Sequence, residues 1–119
     1  MARFLTVLKP AAPIEPSVLI DGLAPLLKAL HGEVDHRTPA HLSALLRGGH
    51  EQLRMQLFAD VQSKAEGPVL ELVLMSREAM GQGAPQTRAV FQRMLDEAAQ
   101  SLSHLQLAFR SDRDGALPS

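Results

Sequence analysis

An apolar strand, a break at Gly or Pro, an amphipathic helix and a second apolar strand occur twice in succession along this chain. That repeat restricts the fold more than any other feature of the sequence. In the second copy, Val69 to Met75 is a mostly aliphatic run of strand length, interrupted by Gly81-Gln82-Gly83-Ala84-Pro85 before a helical pattern starts. Pro85 suits a helix start, because its fixed φ and missing N–H cost nothing there. Phe91, Met94, Leu95, Ala98 and Leu102 then recur at three- and four-residue spacing and line one helical face. Leu105, Leu107 and Phe109 alternate with His104, Gln106 and Ala108, which is strand periodicity.

The first copy is longer. Phe4 to Lys9 reads as a strand ended by Pro10, with Pro13 and Pro16 keeping the connection extended. Leu19, Leu23, Leu26, Leu27 and Leu30 share a helical face, with Ser17 as a candidate N-cap and Gly32 as a stop. Pro25 inside this pattern either kinks the helix or marks its true first turn. Thr38-Pro39 resembles a helix start, and Leu42, Leu45 and Leu46 continue it to Gly48-Gly49, so a short extra helix over about 39–47 is expected in the crossover. Leu53, Met55, Leu57, Ala59 and Val61 alternate with Gln52, Arg54, Gln56, Phe58 and Asp60 to give the clearest strand of the chain, which turns at Ser63 to Gly67. The expected fold is α+β. Two consecutive β-α-β units, about 3–61 and 68–110, form a four-stranded sheet backed by two main helices.

At 119 residues, 12.9 kDa and 45% apolar residues, the chain can build one modest core, placed here over 1–110, with 111–119 as a polar, flexible tail. Four Phe are the only aromatics, so bases would find little to stack on; a net charge of −1 with no basic run likewise argues against nucleic acid or an anionic membrane. The absence of cysteine removes disulfides, thiolate nucleophiles and thiolate metal sites. No signal peptide or transmembrane pattern is present, and a cytoplasmic location is expected.

His31, His36, His41 and His50, with Asp35 nearby, are types that ligate zinc or iron, yet their intervals give no convergent face, and no metal or cofactor is expected. Gly81-x-Gly83 lacks the further glycine and lysine of a phosphate loop and reads as a turn. No Ser/His/Asp arrangement follows from Ser63, Ser76, Ser101 or Ser103. Arg54 differs in kind. It sits on the polar phase of the alternating strand, where a guanidinium can hold a carboxylate bidentately.

Several pieces, in order, resemble the tautomerase superfamily and within it the 5-carboxymethyl-2-hydroxymuconate isomerases. They are Ala2-Arg3-Phe4-Leu5-Thr6-Val7, the helix end Leu26 to Gly32, Leu53-Arg54-Met55-Gln56, Leu70 to Met75, Gly81 to Arg88, and Leu107-Ala108-Phe109-Arg110. The resemblance implies two β-α-β units in one sheet, a homotrimer, and a small carboxylate ligand held by arginine. It also implies proton transfer in enol acids by an amino-terminal proline. Here Ala2 follows Met1 and Gln56 stands where a second arginine is expected. The site implied is therefore the amine of Ala2, if Met1 is removed, as catalytic group, with Arg54 binding substrate and with enol/keto transfer weak, altered or lost. The exposed sheet edges of such a small chain also suit a closed oligomer. A non-catalytic small-molecule-binding or protein-interaction module (adaptor, chaperone or immunity protein) is the alternative.

Overall fold

The computed structural model describes residues 1–48 and 52–114. In chain order the elements are β1 (Ala2–Pro10), α1 (Pro16–Asp21), α2 (Ala24–Ala29), β2 (Glu33–Thr38), β3 (His41–Gly48), β4 (Leu53–Lys64), β5 (Gly67–Ser76), a single 3-10 turn at Met80–Gln82, α3 (Pro85–Ser101), β6 (Leu105–Arg110) and α4 (Ser111–Asp114). The strands form one antiparallel sheet of six in the order β2-β3-β4-β5-β1-β6.

Period-two alternation decides which side of the sheet is the core. Met55, Leu57 and Ala59 of β4, Leu70, Leu72 and Leu74 of β5, Leu42, Ala44 and Leu46 of β3, and Phe4 and Leu8 of β1 all point to one side. There they meet Leu19, Ile20 and Leu23, Leu26 and Leu27 of α2, and Val90, Phe91, Met94, Leu95 and Ala98 of α3 in one cluster. Phe4 and Phe91 stack at the centre with ring centroids 5.3 Å apart. α1, α2 and α3 thus all cover the same face.

The fold is α+β as expected, and all four expected strands are present. β1 and β4 run parallel to each other, as do β5 and β6, but a strand of the other unit lies between the members of each pair. The cause is local. The Ala65-Glu66 turn folds β4 directly back on β5, leaving β1 to pair on β5's far side, which gives a split β-α-β arrangement.

The short helix expected over about 39–47 is not formed: these residues make the turn Pro39-Ala40 and strand β3, and with β2 they extend the sheet from four strands to six. Thr38 pairs with His41, so Thr38-Pro39 opens a two-residue hairpin loop rather than a helix. Leu42 and Leu46 face the core, whereas Leu45 lies on the other face, and apolar residues on both faces mimic helical spacing. Pro25 marks the first turn of α2, separate from α1. Ser17 lies inside α1, whose N-cap is Glu15 without a side-chain cap bond. At the end of α2 the left-handed residue is His31 (φ 55°), with Gly32 N–H donating to Leu27 O. Of the residues expected to form a tail, 111–114 are described. Ser111–Asp114 is helical, Leu5 N–H donates to Ser111 Oγ, and Asp112 pairs with Arg110, while residues 115–119 lie outside the described part.

Candidate functional site

The face opposite α1, α2 and α3 carries the other phase of every strand. On it, β4 presents Arg54, Gln56, Phe58 and Asp60; β5 presents Glu71, Val73 and Met75; β3 presents His41, Ser43, Leu45 and Arg47. Cross-strand register turns these into rows. Arg47 stands directly opposite Arg54, and because Met55 pairs with Ser76, Arg77 follows opposite Arg54 on the other side. Three adjacent strands thus present three arginines at one end of the face. Arg3, opposite Met75 on β1, sits one row further in.

Met1, Arg54, Gln56, Phe58, Met75, Ser76 and Arg77 are among the residues lining a depression of about 590 Å³ at this end. Its size is that of a small-molecule site, with Phe58 and Met75 as an apolar floor. Arg47 lines a neighbouring depression of about 400 Å³ with His31, Glu33 and Arg93. A third cleft, between Pro10–Pro13 and Glu66–Val69, measures only about 70 Å³ and is bordered by the Lys9–Glu66 ion pair. That volume suits water rather than a ligand.

Among the described residues, no carboxylate forms an ion pair with Arg3, Arg47, Arg54 or Arg77. The acid that bonds Gln56 of this depression is committed elsewhere. Asp35 accepts from Ser43 Oγ and, at 3.1 Å, from Gln56 Nε2. The Ser43 hydroxyl first, then the Gln56 amide, hold its carboxyl below the ordinary value against a smaller opposing effect of burial. Like charges placed directly opposite in a sheet repel, so the arginine row is a cost to the folded chain unless an anion comes to it.

The sequence-expected site residues divide. Arg54 and Met1, which is 73% exposed, line the same depression. Ala2 is wholly buried, its backbone paired with Ser76 in the β1–β5 ladder and its methyl in the core cluster. Of the histidines, His36 and His41 approach with ring centroids 5.7 Å apart, and His41 Nδ1 lies 2.6 Å from Asp60 Oδ1; His50 is outside the described residues. Among the described residues no three His, Cys, Asp or Glu side chains converge on a metal position. The sequence leaves open whether Arg47 faces a pocket and gives Arg77 no role. Arg47 falls in the helix expected over about 39–47, and Arg77 lies one residue past the strand, though its distance of two from Met75 marks it as the same phase.

The chain matches no protein-family model and no curated protein. Among the described residues, no helix is long and apolar enough to cross a membrane.

Proposed function

We propose that this chain is a binding module that recognises carboxylates through Arg47, Arg54 and Arg77, with the α-amine of Met1 beside them. The observation that carries the reading is the row of arginines itself, drawn from three neighbouring strands and left without carboxylate partners among the described residues. Planar guanidinium groups hold carboxylates through paired N–H donors, and a ligand with an apolar body gains further from Phe58 and Met75. The depression is lined by cations, an amide and a hydroxyl, with no carboxylate or histidine among its lining residues, so anion binding is its natural chemistry. Titrating the ¹⁵N-labelled chain with citrate tests this. The Nε–Hε signals of Arg54 and Arg77 should shift and saturate, and added salt should weaken the effect. Shifts centred on α3 or β6, or none at all, would refute it.

A second reading is a tautomerase-superfamily protein similar to 5-carboxymethyl-2-hydroxymuconate isomerase. It would be a cytoplasmic homotrimer with weak, altered or lost enol/keto transfer. One observation favours it: Met1 and Arg54 share one depression. With Met1 removed, the Ala2 amine would begin β1 beside Ser76, and in its neutral form it could take up a proton. An enol-acid assay on chain shown by mass spectrometry to lack Met1 decides it, since no ketonisation above background excludes the reading.

A further inference from the structure

The arginine row has a counterpart of opposite sign on the same face. Asp60 of β4 stands directly opposite Glu71 of β5, a second like-charge pair, six residues along β4 from Arg54. At about 3.4 Å per residue the two rows lie roughly 20 Å apart. Between them the face is largely apolar, with Met75 and Val73 on β5 and Phe58 on β4. His41 hydrogen-bonds Asp60, but among the described residues Glu71 has no ion-pair partner.

From this pattern we infer that the face binds a second copy of the chain, and that the carboxylates recognised by the arginine row are the partner's Asp60 and the partner's Glu71. The inference rests on the carboxylate-binding reading and names its occupant. Symmetry does the selecting. A two-fold axis in the plane of the face and parallel to the strands would set arginines on arginines. Running across the strands, midway between Gln56 and Phe58, it sets Arg54 over the partner's Asp60 and Arg77 over the partner's Glu71. The same operation returns the reciprocal pairs and stacks Met75 on the partner's Val73. The Arg54–Arg77 and Asp60–Glu71 pairs then neutralise each other across the interface, while the same operation sets Arg47 over the partner's His41. The face is large enough, because six strands about 4.8 Å apart and about eight residues long span on the order of 800 Å², what a standard interface takes from each partner.

A charge swap tests it by light scattering. The unaltered chain should run at twice 12.9 kDa. The double variants Arg54→Glu/Arg77→Glu and Asp60→Arg/Glu71→Arg should each run as single chains. Their equimolar mixture should return to the two-chain mass, which also shows that both variants fold. A one-chain or three-chain mass for the unaltered protein, or double variants that stay paired, overturns the inference. Citrate titration of the Asp60→Arg/Glu71→Arg chain separates this failure from failure of the underlying reading. If citrate binds at Arg54 and Arg77 while the unaltered chain is monomeric, the carboxylate site stands and its occupant is not a second copy. If citrate does not bind there, the site itself is refuted.

Discussion

Replacing Glu78 should detach the start of α3, although Glu78 is seven residues upstream of the helix. The four N–H positions of the first turn are accounted for one by one. Pro85 has none, and Arg88 N–H donates to Ala84 O. The remaining two, those of Gln86 and Thr87, donate to the Glu78 carboxylate at 3.1 and 2.7 Å, and the Thr87 hydroxyl adds a third bond at 2.7 Å. The helix's own N-cap, Ala84, has no capping side chain and adopts a left-handed conformation at φ 48°. Glu78 is therefore the cap. Losing such a cap costs about 1–2 kcal/mol, and α3 carries Phe91 and Met94 into the core, so the loss reaches global stability. For a domain of this size that is a fall in Tm of roughly 4–8 °C for Glu78→Ala. Burial raises the Glu78 carboxyl, but the Thr87 hydroxyl and the N–H groups of Thr87 and Gln86 outweigh it and bring it below its ordinary 4.5. With a folded value below the unfolded one, the contribution is complete above pH 4.5 and disappears as pH falls through the lower folded value. Thermal denaturation should therefore separate wild type from Glu78→Ala at pH 7 and bring them together in strong acid. An unchanged Tm at pH 7, or a gap that persists in acid, would refute the capping account.

Two further outcomes follow from close contacts. In Gly48→Ala the new Cβ would run into Val90 Cγ2 of α3, so the variant should lose about 1–3 kcal/mol in chemical denaturation, with Val90→Ala restoring part of it. Asp35→Asn should speed amide hydrogen exchange in β2, which is exposed throughout and tied down by the Ser43 and Gln56 bonds; since the Asp35 carboxyl lies below 3.8, wild type should show the same loosening only as pH falls below that value.

What the sequence displays is the side of each element that meets the core. β4 was legible because Met55, Leu57 and Ala59 are apolar while Arg54, Gln56 and Asp60 are not, and α3 because its buried residues keep three- and four-residue spacing. The β2–β3 hairpin was hidden for two physical reasons. As an edge strand, β2 buries nothing and carries Glu33, Asp35 and Arg37, charges that guard it against further pairing, and with no buried face it shows no apolar periodicity. In β3, Leu45 on the second face fills the gap between Leu42 and Leu46 and imitates a helix. Arg54 stood out because its strand did. The row it belongs to was invisible, since Arg47, Arg54 and Arg77 become neighbours only through strand register, which no local pattern encodes.

If the arginines are placed for an anion rather than for the fold, binding and stability should oppose each other. The direct test is thermal denaturation of wild type and Arg47→Gln/Arg54→Gln, with and without citrate, at a dilution where light scattering reads one chain. Relief of the cross-strand repulsion predicts that the variant melts at or above the wild-type temperature and ignores citrate, while citrate raises the wild-type Tm. A variant that melts lower and still responds to citrate would mean that the arginines serve the fold and that carboxylates bind elsewhere.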